Sequence, residues 1–505
     1  MKRHLFLAAG AAATIVLAGV PVTSQAVAPA ATSARVTVGS PSDLTPRNHQ
    51  NEPAVAIDAH APDVLVAGTN DFIDAQPCPE TTAAESGSCV PPSRTNTGVS
   101  GVYFSFDRGH TWTQPTYTGW TRRDCAPTVP CAGSFGPIGT LPWYYENGLV
   151  SFGDPAVAIG PRPVDGEFSW ENGSRVYYAN LAANFDAVLQ PISQGPFKGL
   201  LGVAVSRLDD PTSERVQEKD NWAAPVIAIG RGGTFGLEDK EQVWADNAES
   251  SPFFGNVYVC SADFRAAGVP MMVAYSGDGG TTWTTRQATS TVGAGGSFFQ
   301  HGSNTGCTIR TDSNGVVYLF YVNFRVGLPG QGFHVMQKSY DGGKHWTLPQ
   351  NIFSINDMCY VVDPVEGRCV MDGYAGARID LSAAPSVDIA NGAPTGDDAT
   401  NLIVDAWSDG RSGFNSEKTL LSASGDGGAT WTAPAAVSSP GDRSMYSAPA
   451  LSPDGSRAYV MYEGPTASSR GTDMTSPRPY HGVFRSAAVS GSTIGAWQTL
   501  YDGPL

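Results

Sequence analysis

The sequence predicts an all-β protein, a single six-bladed β-propeller of four-stranded antiparallel blades, and three observations carry that prediction. With 58 Gly and 37 Pro, 95 of 505 residues punctuate the backbone; average usage is about 12%, so the chain turns too often for a helical bundle or coiled coil. A Ser-x-Asp-x-Gly-x-Thr-Trp segment recurs four times. Around it, strand-length apolar runs recur in a fourfold order that can be counted six times. A closed ring of four-stranded units is one way an all-β chain protects its sheet edges.

Taken in order, the elements begin with a leader. Lys2 and Arg3 precede an apolar stretch over 5–20, and small residues follow at Ser24, Ala26 and Ala28. That is the layout of a cleaved signal peptide over 1–28, shorter than a membrane span needs. Residues 29–50 read as an N-terminal extension, with Arg-Val-Thr-Val-Gly at 35–39 expected as a ring-closing strand. The propeller occupies 51–505. Its innermost strands include Pro-Ala-Val-Ala-Ile at 53–57 and again at 155–159. Second strands run over 64–71, 176–180, 257–263, 316–323, 402–409 and 458–463. Third strands start near residues 101, 201, 271, 333, 419 and 482, and fourth strands open on Trp112, Trp222, Trp283, Trp346, Trp431 and Trp497.

The repeated segments are Ser105 to Trp112, Ser276 to Trp283, Ser339 to Trp346 (His345 in place of Thr) and Ser424 to Trp431. In each, Asp can accept from turn N–H groups, Gly supplies a left-handed backbone, and Trp fills the space between sheets. The segment is structural. It resembles the Asp box of the sialidase superfamily, and the resemblance implies a sialidase-like propeller over about 50–505. The boxes then lie on one face, and the connections between blades, with the long insertions 72–100, 119–152, 180–199, 354–380 and 464–481, lie on the other. Loops on a rigid scaffold carry function.

Charge narrows the partners. Lys plus Arg number 31 against 47 Asp plus Glu, a net of −16, which disfavours nucleic acid and anionic membranes. A glycan or polysaccharide substrate and a secreted monomer are expected. Eight Cys in a secreted chain suggest disulfides. Cys78 with Cys89, Cys125 with Cys131, and Cys359 with Cys369 are close in sequence, leaving Cys260 and Cys307 in strand-like runs. No Cys or His spacing suits zinc. The Asp312 and Asp454 segments read as turns rather than calcium loops, so no metal or cofactor is expected.

Polar residues converge on the insertion face. Before the inner strands stand Glu52, Asp154, Glu241, Asn304, Asp380 and Tyr446; after the second strands stand Asp71, Asn180, Asp263, Arg325, Asp409 with Arg411, and Glu463. The insertion at 141–146 adds Trp143 and Tyr145, aromatic faces suited to sugar stacking.

The sialidase resemblance implies roles for some of these. Tyr446-Ser447, followed by Tyr462-Glu463, resembles the nucleophile segment, with Tyr446 as nucleophile and Glu463 bracing an arginine. Tyr321-Val-Asn323-Phe-Arg325 resembles the segment carrying the second substrate-binding arginine, and Arg411 or Lys418 stands where a third would fall. Asp71 takes the acid/base place. Two departures mark the chain: Glu52 occupies the first arginine's position, with Arg47 five residues upstream, and Ser303-Asn304-Thr305-Gly306 stands where a tyrosine-activating Glu belongs. Three readings follow: a sialidase-like glycosidase using Tyr446 and Asp71, a glycosidase or lyase of other specificity using Glu52 with Asp71 and Asp154, and a non-catalytic binding propeller.

Overall fold

The computed structural model describes residues 32–42, 46–78, 96–126, 131–185, 201–230, 237–264, 269–289, 304–325, 328, 330–358, 369, 381–413, 415–468 and 479–504. The signal-peptide assignment lies outside these residues. Six antiparallel blades form the expected β-propeller. Blade 1 has β1 (Gln50–Ile57), β2 (Leu65–Asp71) and β3 (Ser100–Ser105), and its fourth strand is reduced to a bridge between Phe104 and Thr113. Pro115, two residues on, has no N–H with which to continue that ladder. The insertion that follows folds as a hairpin, β4 (Tyr117–Thr121) with β5 (Ser134–Ile138).

Blade 2 holds β6 (Leu149–Val164), β7 (Glu167–Asn184), β8 (Leu201–Asp209) and β9 (Trp222–Ile229). Blade 3 is β10 (Glu238–Ala245), β11 (Val257–Asp263), β12 (Met271–Ser276) and β13 (Thr284–Gln287). Blade 4 follows as β14 (Asn304–Thr311), β15 (Val317–Phe324), β16 (Gln331–Ser339) and β17 (Gln350–Asn356). Blade 5 is β18 (Ser386–Ile389), β19 (Ile403–Asp409), β20 (Lys418–Ser424) and β21 (Ala435–Ala436). In blade 6, β22 (Met445–Leu451), β23 (Arg457–Pro465) and β24 (Tyr480–Ser490) carry a short β25 (Thr493–Ile494), and β26 (Gln498–Pro504) completes the sheet against β24.

The core lies between blades. Val66, Val102, Ile159 and Tyr178 join blades 1 and 2; Tyr177, Val203, Val243 and Val257 join blades 2 and 3; similar clusters join each later pair. Each sheet is apolar on both faces because each face meets a neighbouring sheet.

All four Ser-x-Asp-x-Gly turns share one hydrogen-bond pattern at the end of the third strand. In the first, Ser105 Oγ donates to Asp107 and accepts from Gly109 N, while Asp107 accepts from Thr111 N at 2.8 Å and Thr111 Oγ1 at 2.6 Å. The tryptophan Nε1 donates to the Gly carbonyl at 3.1–3.2 Å for Trp112, Trp283 and Trp431. Trp346 Nε1 meets no partner among the described residues.

Residues 35–39 form no strand. Instead the segment ties the last blade to the first by side chains: Tyr501 O–H donates to Ser33 Oγ, Gly39 N–H donates to Gln114, and Ser40 Oγ donates to Asp71 at 2.5 Å. Two disulfides are described, Cys125–Cys131 in the hairpin loop and Cys260–Cys307 between blades 3 and 4. The expected pairs Cys78–Cys89 and Cys359–Cys369 each include a residue outside those described.

Candidate active site at the ring mouth

Five inner strands share a bulge near their first residues. The register slips between Asn51 and Ala54 in β1, Gly153 and Ala156 in β6, Asp239 and Gln242 in β10, Thr305 and Thr308 in β14, and Met445 and Ala448 in β22. The residue just inside each slip is left-handed: Glu52 (φ 55°), Asp154 (51°), Lys240 (57°), Gly306 (61°) and Tyr446 (47°). Only Gly adopts that backbone without cost; each of the others stores roughly 1–2 kcal/mol. Such strain concentrates at functional sites. Here it sets four chemically active side chains at equivalent places in blades 6, 1, 2 and 3.

Glu52, Asp154 and Tyr446, expected just before the inner strands, stand inside β1, β6 and β22 at these slips, while in β10 and β14 the slot is held by Lys240 and Gly306 rather than the expected Glu241 and Asn304. Aligning the buried apolar residues Val243 and Ile309 with Val55 and Val157 would have found the right residues. Polarity alone picked their neighbours.

Lys240 links three blades. Its Nζ lies 2.8 Å from Asp154, 3.3 Å from Asp239 and 3.9 Å from Glu52. Asn70 holds Asp154 from the other side, donating from Nδ2 to the carboxylate at 3.2 Å and accepting from Asp154 N at 2.6 Å. The Glu52 side chain keeps 41% of its surface exposed; desolvation of the rest is the main push on its carboxyl, opposed by the Lys240 ammonium and aided by the Asp154 and Asp239 charges, and it stands raised to about 8. Asp154 also pays a burial penalty, but the Lys240 ammonium and donors from Glu52, Lys240 and Asn70 hold it at about 2. One carboxyl of the pair keeps a proton and the other is ionised. Burial likewise raises Asp239, and raises Glu241, 4% exposed beneath this cluster, well above the usual range.

The remaining candidates stand apart. Asp71 is fully buried at the end of β2 and accepts from Ser40 Oγ, Tyr103 O–H, Gln114 Nε2, Ile73 N and Gln50 Nε2 at 2.5–3.2 Å. The structure thus joins Glu52 to Asp154 rather than to Asp71. Arg411 is turned back on its own blade, donating Nε and Nη2 to the two oxygens of buried Asp409 at 2.7 and 2.8 Å. Arg325 is exposed, with its guanidinium 5.3 Å from the Phe333 ring centroid. Arg47 donates Nε to the Ile73 carbonyl at 2.9 Å. Lys418 donates to the Asp442 carbonyl. Tyr446 is 38% exposed, and Glu463, opposite Met445 across the sheet, is raised by burial. Trp143 donates Nε1 to the Lys219 carbonyl at 3.0 Å, and Tyr145 stacks on Trp120 at 5.1 Å. Among the described residues no group of three His, Cys, Asp or Glu side chains could hold a metal ion, and no helix is long and apolar enough to cross a membrane.

No protein-family model and no curated protein matches the sequence. Solved structures do. A Hadza microbial sialidase aligns over 88% of this chain and 67% of its own at 15% identity, with a TM-score of 0.43. A leech intramolecular trans-sialidase aligns over 90% and 70% at 12% identity, with a TM-score of 0.47. Trypanosoma rangeli sialidase aligns over 88% of this chain but 55% of its own at 12% identity, with a TM-score of 0.41. The chain is similar to these proteins over most of its own length.

Proposed function

We propose that the ring mouth is the active site of a secreted glycoside hydrolase acting on exposed glycans. The carrying observation is the Glu52–Asp154 pair, two carboxyls that face one ammonium, Lys240 Nζ, at 3.9 and 2.8 Å and whose proton affinities are driven apart. In this reading Glu52 donates its proton to the glycosidic oxygen as the C–O bond breaks, ionised Asp154 faces the positive charge that develops on the sugar, and a water then adds to that carbon and returns a proton to Glu52. Lys240 is the positioning residue that keeps Asp154 charged. Secretion is consistent with the two disulfides, since such bonds persist in oxidising compartments.

A second reading keeps the sialidase chemistry: Tyr446 as nucleophile, Asp71 as acid/base, and Arg325 with Arg411 on a substrate carboxylate. Tyr446's strained, partly exposed position at the β22 bulge, equivalent to that of Glu52 in β1, favours it. Hydrolysis of a fluorogenic panel of neutral, uronic and sialyl glycosides separates the two. Loss of turnover in Glu52→Gln and Asp154→Asn, with Tyr446→Phe active, supports the carboxyl pair. Sialoside turnover abolished by Tyr446→Phe supports the second. No turnover on any glycoside refutes both and leaves a binding propeller.

A further inference from the structure

Among the described residues, apolar clusters pack five of the ring's six seams, and none spans blades 6 and 1. Counting from the left-handed residue of each inner strand, the third and fifth positions face the preceding blade. Val157 and Ile159, Val243 and Ala245, and Ile309 and Thr311 are buried or half-buried there. In blade 1 the same two positions are Val55 and Ile57, which are 62% and 58% exposed. The preceding blade in the ring is blade 6, and its facing surface is bare too. Met461 pairs with Ala448, two residues beyond Tyr446, as Ala179 pairs with Ala156 and Cys260 with Gln242. Ala179 and Cys260 are fully buried, whereas Met461 is 52% exposed. The N-terminal segment straps the two blades through the polar ties of Ser33, Gly39 and Ser40. In every other seam the neighbouring blade covers these positions, so the cover that Val55 and Ile57 fit is blade 6 itself.

We propose that the seam between blades 6 and 1 is the joint at which the ring opens and closes: in the closed state Val55 and Ile57 pack against Met461 and its strand, and a glycan that touches both blades at the mouth favours that state. Glu52 in β1 and Tyr446 in β22 hold the same slot on the two sides of the seam, and both are exposed. A ligand shifts such a balance only by contacts that differ between the two states, and one held by both of these residues makes its full set of contacts only when the blades meet. Burial of the apolar faces drives the same closure. The glycan's part rests on the glycosidase reading above; the joint itself does not.

The chain supplies the template for a test. Cys260 and Cys307 bridge blades 3 and 4 with Cα atoms 6.4 Å apart, and they stand at the positions that Met461 and Pro53 hold at the open seam. The full-length Pro53→Cys/Met461→Cys variant is incubated with oxidised glutathione, which accepts the two electrons and two protons released as the new bond forms. Among the described residues no native cysteine is free to compete. A bond between positions 53 and 461 of one molecule, read by peptide mass spectrometry, requires the seam to close to disulfide distance. Met461→Cys alone reads the opening. It should react with a maleimide within about threefold of Leu348→Cys, at an 88% exposed residue, and at least about a hundredfold faster than Ala179→Cys, its buried counterpart in blade 2. In a Glu52→Gln background, whichever of chitohexaose, cellohexaose and 3′-sialyllactose the wild type hydrolyses should slow labelling at position 461 by at least about threefold. The intramolecular bond together with fast labelling upholds the joint. No such bond, a bond only between two molecules, or labelling at 461 as slow as at 179 overturns it, since the seam is then fixed open, covered by a second copy, or fixed shut. Labelling that a hydrolysed glycan leaves unchanged removes the glycan from the closure. A joint that passes the first two measurements in a protein that hydrolyses no glycoside refutes only the glycosidase reading.

Discussion

Replacing Lys240 by Met tests the ring mouth as an electrostatic device. The substitution keeps much of the side-chain volume and removes the ammonium that faces Asp154, Asp239 and Glu52. Two routes give its size. Asp154 stands at about 2 against an ordinary 3.8, which corresponds to ~2.5 kcal/mol favouring its ionised form. Removing one partner of a buried ion pair costs about 3–5 kcal/mol, and the Lys240 and Asp154 side chains, each 19% exposed, belong at the low end of that range. The first figure is shared with the donors from Glu52 and Asn70, so ~2.5 kcal/mol is the ceiling for what Lys240 supplies through Asp154. The pH dependence has a definite sign. A carboxyl depressed by folding contributes stability above its unfolded value near 3.8 and loses it as pH falls toward about 2. Wild type and Lys240→Met should therefore differ by about 2.5 kcal/mol in urea unfolding at pH 6, by about half that at pH 3, and converge below about pH 2. A difference that stays constant from pH 6 to pH 2.5 would mean that Lys240 acts by packing, and the account of Asp154 would be wrong.

Glu52→Gln should lower turnover by about 10²–10⁴-fold with little effect on the urea midpoint; turnover within threefold of wild type removes Glu52 from the chemistry. Because Glu52 titrates near 8, activity should hold at neutral pH and fall as pH rises through 8, so a pH–rate profile flat to pH 10 contradicts its role as proton donor. Asp71→Asn should cost about 2–4 kcal/mol of stability, since five donors lose a charged acceptor; a stable but inactive variant would instead restore Asp71 as acid/base. Trp283→Phe should cost about 1 kcal/mol more than Trp346→Phe, because only Trp283 gives up a hydrogen bond to a Gly carbonyl; equal losses in chemical denaturation would remove that bond from the stability of the repeat.

Much of the ring could be read from residues because its signals are local. Trp at each fourth strand and Gly in each repeated turn answer to short-range geometry, so all six blades were counted and β11 was bounded to the residue. The first fourth strand escaped because Pro115 ends its ladder, and the proposed strand at 35–39 because its residues serve as side-chain ties. The site was half legible. Glu52, Asp154 and Tyr446 surfaced from their polarity at strand starts. Lys240 did not, because a bulge shifts the register by a residue that polarity cannot see. The Glu52–Asp154 contact joins positions about a hundred residues apart, and nothing in either local sequence announces it.

The repeated bulge also separates two kinds of change. A residue in that left-handed slot neither fills the space between blades nor sets the strand pairing around it. Glu, Asp, Lys, Gly and Tyr occupy it in five blades of this one chain, so the slot tolerates acid, base, phenol and no side chain at all. A ring built by repeating one blade can in this way exchange its reagents one address at a time, and a lineage of such proteins could change chemistry by single substitutions while its scaffold stays still.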